Sequence, residues 1–119
     1  MPDEREELLR GAYAAFNVRD IERALVLMHP DVDWANGMEG GRVHGHDAVR
    51  EYWTRQFGTI DPHVEPEEFT ATADGAVAVK VRQLVRNLDG EVTADSYVTH
   101  VYRFRDGLVE RMDIEPAES

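Results

Sequence analysis

The chain has 119 residues, no cysteine, and 24 acidic against 13 basic side chains, for a formal net charge of −11. One domain spanning 1–119 is expected, long enough to bury a core without staples, and without thiols it has no disulfide framework, no thiolate nucleophile and no cysteine zinc site. The acidic balance repels phosphate backbones and anionic lipid, so nucleic acid and membrane surfaces are poor partners; with an acidic start, MPDEREELLR, and no run of membrane-spanning length, the expected location is the cytoplasm.

From Glu4 to Val18, Leu8, Leu9, Ala12, Tyr13, Ala15 and Phe16 recur at spacings of three and four, the stripe of an amphipathic helix. Asp20 is the expected N-cap of a second helix with Ile21, Ala24, Leu25 and Met28 on one face, ended by His29-Pro30. The segment DVDWAN is short and extended, and GMEGGRVHG reads as loop. Asp47 or its neighbour then opens a third helix carrying Ala48, Val49, Tyr52, Trp53 and Phe57. The remainder is strand-like and punctuated by Asp-Gly at 74–75, 89–90 and 106–107, the signature of a four-stranded antiparallel meander. Helices followed by such a sheet predict an α+β domain. Phe16 and Trp53, on different helices, should both be mostly buried against it.

If Asp106-Gly107 is a two-residue turn, Phe104 opposes Val109, Tyr102 opposes Arg111, and His100 opposes Asp113. A similar turn at Asp89-Gly90 sets Val85 against Ala94, Gln83 against Ser96, Val81 against Val98 and Val79 against His100. With a side-chain period of two, one face then carries those residues, and its apolar character with a polar patch of Gln83, His100, Arg111 and Asp113 makes it the inner face. The other face keeps an apolar strip of Tyr97, Val101, Met112 and Ile114, which predicts a two-fold homodimer through the outer sheet face.

Directly opposed residues on one face have Cβ atoms about 4.5–5.5 Å apart, so His100 and Asp113 are an expected imidazole–carboxylate pair. Such a pair is either a structural bridge or an acid–base device. The crowding of Gln83, Arg111 and Asn36 toward the same region favours a cavity lining, since a core seldom keeps that many polar side chains. Trp34, Trp53, Phe57, Phe16 and Tyr13 wall that cavity or fill the core around it. HGHD at 44–47 lacks a third ligand at helical spacing and reads as a loop entering a helix capped by Asp47, so no metal site is expected. No Gly-rich phosphate loop or nucleophile elbow is present, and any chemistry is expected to need no cofactor.

AYAAFNVRDIERALVLMHPDVDW, GGRVHGHDAVREYW and the final hairpin, in which His100 falls six residues before Asp106 and Asp113 follows on the next strand, resemble the nuclear-transport-factor-2-like superfamily and within it the SnoaL-like polyketide cyclases. The likeness covers nearly the whole chain, with HPD at 29–31 and Phe-Asn at 16–17 also matching. It implies a cone: a curved antiparallel sheet wrapped over a long helix, a ligand pocket at the open end, and commonly a dimer through the outer sheet face. It also implies an acid–base role for Asp113 with His100. Val98 stands where those cyclases carry a polar side chain.

Two other branches of that superfamily fit less well. Where ketosteroid isomerases carry their general base this chain has Asn36, where they carry the oxyanion acid it has His100, and the oxyanion tyrosine would fall at Ala12, one position from Tyr13. Limonene epoxide hydrolases share Asn36 and Asp113, but Trp34, Val81 and Gln83 replace their tyrosine, arginine and second aspartate. An asparagine takes no proton and a valine binds no epoxide oxygen, which speaks against both reactions.

The expectation is a cofactor-free protein acting on a small, largely apolar or carbonyl-containing molecule, by proton abstraction next to a carbonyl as in a cyclase, isomerase or dehydratase. Asp113 and His100 are the catalytic candidates. Tyr13, Phe16, Trp34, Asn36, Trp53, Phe57, Gln83, Val98, Tyr102 and Arg111 are the ligand-binding candidates. The alternative is a non-catalytic binding or dimerisation module in which the His–Asp pair is structural.

Overall fold

The computed structural model describes residues 4–36 and 40–116. In chain order these form α1 (Glu4–Asn17), α2 (Ile21–Val26), β1 (Met28–Ala35), β2 (Arg42–His44), α3 (Gly45–Thr59), β3 (Asp61–Ala71), β4 (Val77–Arg86), β5 (Val92–Arg105) and β6 (Leu108–Pro116). One curved, unclosed six-stranded sheet in the order β2-β1-β6-β5-β4-β3 carries the helices on its inner side, an α+β cone. No helix among the described residues is long and apolar enough to cross a membrane.

The four-strand meander forms as its Asp-Gly turns predict, but the sheet is mixed, because β1 and β2 extend it and β1 runs parallel to β6. Two local expectations change accordingly. The second helix stops at Val26, and Met28 starts a strand because its buried side chain packs under the sheet rather than along a helix face. Residues 42–44, expected as loop, pair antiparallel with Asp33–Ala35 of β1; Gly37, Met38 and Glu39 of that expected loop lie outside the described residues. Helix α3 starts at Gly45 with His44 at its N-cap, so Asp47 sits inside the first turn and binds Arg50 (2.6 Å) instead of capping.

Helix α1 ends in a left-handed residue, Arg19 (φ 65°), whose backbone N–H donates to Phe16 O while Asp20 N–H donates to Ala15 O, the pattern of a helix C-terminal cap without the usual glycine. Just before it, the Asn17 amide acts as an extra strand partner: Nδ2 donates to Val64 O (2.8 Å) and Oδ1 accepts from Val64 N (2.9 Å). This clamp fixes α1 on β3 and aims Tyr13, one turn earlier, across the sheet. The core between helices and sheet holds Leu9, Leu25, Met28, Val32, Val49, Val79, Val81 and Val109, all essentially without solvent contact. Trp53 is buried with them, whereas Phe16, expected to be mostly buried, is only partly so, packed at the edge of the core against Phe57.

The register of the last hairpin departs from the expected one in a way that matters for function. The turn at Asp106-Gly107 forms with both residues at positive φ, and Arg105 and Phe104 face Leu108 and Val109 as predicted. Glu110 then bulges out, so that Arg103 faces Arg111, Tyr102 faces Met112, Val101 faces Asp113 and His100 faces Ile114. One extra residue turns every later side chain to the opposite face. Met112 and Ile114 therefore point into the cone, and Arg111 and Asp113 leave it. The β4–β5 register is as expected, with Gln83 against Ser96, Val81 against Val98 and Val79 against His100. Of the outer strip, Met112 and Ile114 are gone and Val101 is already buried; only Tyr97, 44% exposed, stays open.

Candidate functional site

A cavity of about 300 Å³ opens between α1, α3 and the inner sheet face. Its walls are aromatic and aliphatic, with Trp34 and Trp53 edge to face (centroids 5.4 Å apart) and Trp34 tilted against Tyr102 (6.1 Å). Eight of the expected residues line it: Tyr13, Phe16, Trp34, Trp53, Gln83, Val98, His100 and Tyr102. Among the described residues, no aspartate or glutamate does.

Four expected site residues lie elsewhere. Asn36 is buried just after β1, where its backbone N–H donates to Gly41 O and its carbonyl accepts from Gly40 N. Phe57 packs on Phe16 beneath the Arg19 guanidinium, 4.4 Å from its ring centroid. Arg111 and Asp113 belong to a four-charge ring on the outer side of the sheet. There Arg42 binds Asp33 (2.5 Å) and Asp113 (2.9 Å), and Arg111 binds Asp113 through two nitrogens (2.9 and 3.1 Å) and Asp33 (3.2 Å). Arg42 also donates to the carbonyls of Asp33 and Met112, tying β2, β1 and β6 together. The bonded Arg111 guanidinium, helped by Arg42, holds the Asp113 carboxyl below its usual range. Asp113 is thus an ionised strut, and the expected His100–Asp113 pair does not form because of the bulge at Glu110.

His100 finds a different partner. Tyr13 from α1 lies 2.8 Å from its Nδ1 through the hydroxyl, with the two rings near parallel (8°, centroids 5.9 Å), and the Tyr102 hydroxyl donates to Tyr13 Oη at 2.7 Å. All three side chains are buried. Desolvation pushes the Tyr13 phenol up, with Tyr102 adding to it, and pushes the Tyr102 phenol up as well, so both keep their protons. The same burial drives the His100 imidazolium pKa down to about 4, leaving the ring neutral at pH 7.

Hydrogen-bond satisfaction then selects the tautomer. If Tyr102 donates to Tyr13 and Tyr13 donates to Nδ1, every hydroxyl hydrogen in the chain has an acceptor. Reversing the chain would make Nδ1 a donor and leave the Tyr102 hydrogen facing only that protonated nitrogen, 3.5 Å away. A stranded buried hydroxyl costs about 1–3 kcal/mol. The favoured form has an unprotonated Nδ1 and a proton on Nε2. That Nε2 and Gln56 Oε1 are the two buried side-chain polar atoms without a partner among the described residues, and both side chains line the cavity.

The remaining histidines stand in regular elements, His29 in β1, His44 in β2, His46 in α3 and His63, which also lines the cavity, in β3. His46 Nε2 bonds the Met28 carbonyl (2.9 Å), His29 Nδ1 accepts from Asp31 N (3.0 Å), His63 Nε2 meets Glu65 (3.0 Å), and His44 is exposed.

Gln56, Tyr52, Met112 and Ile114 are lining residues that the sequence reading missed. For Met112 and Ile114 a signal existed: the apolar positions of LVERMDI fall at 109, 112 and 114, so their phase slips between the first two, as a bulge requires.

The SnoaL-like domain profile matches residues 9–112. Among solved structures, TerC, co-crystallised with polyporic acid, is 31% identical with a TM-score of 0.83, the match covering 97% of this chain and 92% of that one. An NTF2-like protein of unknown function from Burkholderia pseudomallei K96243 is 27% identical with a TM-score of 0.84, over 98% of this chain and 92% of its own. SalBIII, an epoxide hydrolase/cyclase-like enzyme of pyran ring formation in salinomycin, shares the fold at 18% identity, with a TM-score of 0.79 over 93% and 88%. No curated protein matches in sequence. With nearly its whole length matched and the cone in place, the chain belongs to the SnoaL-like domain family of the nuclear-transport-factor-2-like superfamily.

Proposed function

We propose that the protein binds a small, largely apolar molecule carrying a carbonyl or equivalent oxygen, and that neutral His100 holds this oxygen through Nε2–H. The observation that carries the reading is the orphaned His100 Nε2, shut off from water at the end of the Tyr102–Tyr13–His100 chain on the wall of an apolar cavity. A buried donor without a partner is expensive, and a ligand acceptor would relieve that cost. The cavity lies at the small end of the range for ligand sites. That a relative 31% identical to this chain has been co-crystallised with polyporic acid supports a small-molecule ligand.

The chemistry this suits is polarisation of a carbonyl and stabilisation of a developing enolate oxygen by a preorganised neutral donor. With Asp113 off the cavity, the described residues of the lining supply this electrophilic half and no carboxylate base, so binding is the reading favoured over catalysis. Cofactor-free proton transfer beside the carbonyl, of the cyclase, isomerase or dehydratase kind, has one feature in its support. If Nε2 gives its proton to a ligand oxygen, Nδ1 can take one from Tyr13 and Tyr13 one from Tyr102, so the ring stays neutral and the charge is left as a buried phenolate at Tyr102, which desolvation disfavours.

Titration with benzophenone, an apolar aryl ketone, tests the binding reading. His100→Phe should weaken it by about fivefold to tenfold, the worth of one neutral hydrogen bond, and the carbonyl stretch of bound ketone should shift down in the wild type alone. Equal affinity with an unshifted carbonyl in both proteins contradicts the role given to Nε2.

A further inference from the structure

We infer that the ligand carries a second polar handle, a hydroxyl or N–H donor received by Gln56, which makes Gln56 a specificity-determining residue for donor-bearing carbonyl compounds over their O-alkylated counterparts. The inference rests on the reading of His100 above and deepens it.

Gln56 stands in the last turns of α3, between Trp53 and Ile60, which line the same cavity from the helix side. His100 comes from β5 on the sheet side. Among the described residues, these two contribute the buried side-chain polar atoms that have no partner, one an acceptor and one a donor, and both belong to one largely apolar cavity. The pairing is complementary: a ligand oxygen for Nε2–H and a ligand O–H or N–H for Oε1.

The alternative, that the Gln56 side chain helps hold the fold, lacks a hydrogen bond to act through, since Oε1 accepts from no group among the described residues. A buried acceptor in that state destabilises the empty protein. Its terminal torsion is of the broad sp³–sp² kind, so the oxygen can swing onto a ligand without leaving a rotamer well. A site that hydrogen-bonds a ligand hydroxyl also rejects the analogue lacking it more strongly than an apolar wall rejects an extra methyl group, because the polar group of the site is then left buried and unpaired. Discrimination should therefore exceed what size alone produces.

The test uses para-hydroxybenzophenone and para-methoxybenzophenone titrated into the whole chain, wild type and variants. Wild type should bind the hydroxy ketone at least about tenfold more tightly than the methoxy ketone. Gln56→Met, similar in length and apolar, should reduce that ratio to within about twofold while melting no lower than wild type, which a structural role would not allow. Gln56→Glu, which keeps oxygens and removes the amide N–H groups, should preserve the preference. If neither ketone binds, or His100→Phe weakens neither, the reading of His100 falls and this inference with it. If both bind through His100 with equal affinity, or the hydroxyl preference survives Gln56→Met, the role of Gln56 alone is overturned.

Discussion

The buried, neutral state of His100 makes the stability of the fold depend on pH in a way that one substitution can isolate. In the unfolded chain the imidazole takes up a proton at its ordinary pKa of 6.5, whereas in the native core desolvation holds that pKa near 4. Between these values the unfolded state is protonated and the native state is not, so stability falls as the pH falls. The contribution is complete above pH 6.5 and has been lost by pH 4. Each pH unit across this window costs about 1.4 kcal/mol, and by pH 4.5 the loss should reach about 2–3 kcal/mol, a sizeable share of the 5–15 kcal/mol that holds a typical domain together.

His100→Gln keeps a polar side chain of similar reach and removes the titration. Urea unfolding at pH 7.5, 6.5, 5.5 and 4.5 gives the stability of both proteins, and all other titrating groups cancel in their difference. That difference should shrink steadily with acid, wild type losing about 2–3 kcal/mol more than the variant between pH 6.5 and pH 4.5. Parallel curves would mean that the imidazole is hydrated or paired with an acid, and the burial argument for Nε2 would fail.

Tyr13→Phe breaks the chain in the middle, leaving His100 Nδ1 and the Tyr102 hydroxyl 3.5 Å apart; it should cost about 1–3 kcal/mol in denaturant unfolding, and no loss would mean the chain is not formed. Asp113→Asn removes one charge from a part-exposed ring whose ionic contacts are partly screened by solvent. It should cost about 1 kcal/mol or less, a melting shift of a few degrees, with benzophenone affinity unchanged; lost affinity would return Asp113 to the site. Pairing of two copies through the outer sheet face, which we propose, must centre on Tyr97, the exposed aromatic beside Lys80. Sedimentation should then show a dimer that Tyr97→Glu converts to monomer, and a wild-type monomer at tens of micromolar or a dimer indifferent to the change would exclude that face.

The helices and the meander were legible because their signals are local: the three-and-four spacing from Leu8 to Phe16, and Asp-Gly pairs that set strand ends and, in β4–β5, the register itself. Strand β2 was not, since three residues in a glycine-rich stretch become a strand only through pairing with β1, a tertiary event. The candidate site was half legible. His100 was marked by its position in an apolar strand, but its partner was assigned by counting back from a turn, and one bulged residue moved Asp113 to the other face. No count along β5 could have found Tyr13, because its approach depends on how the Asn17 amide docks α1 on β3, a contact 47 residues long in sequence.

What His100 can offer a ligand depends on which of its ring nitrogens carries the proton. Long-range proton–nitrogen correlation NMR on the ¹⁵N-labelled chain at pH 7 reads this directly. It should show one proton on the ring, at Nε2, with Nδ1 unprotonated and accepting from Tyr13. A ring protonated at Nδ1, or at both nitrogens, would contradict the donor that His100 is said to present to the cavity.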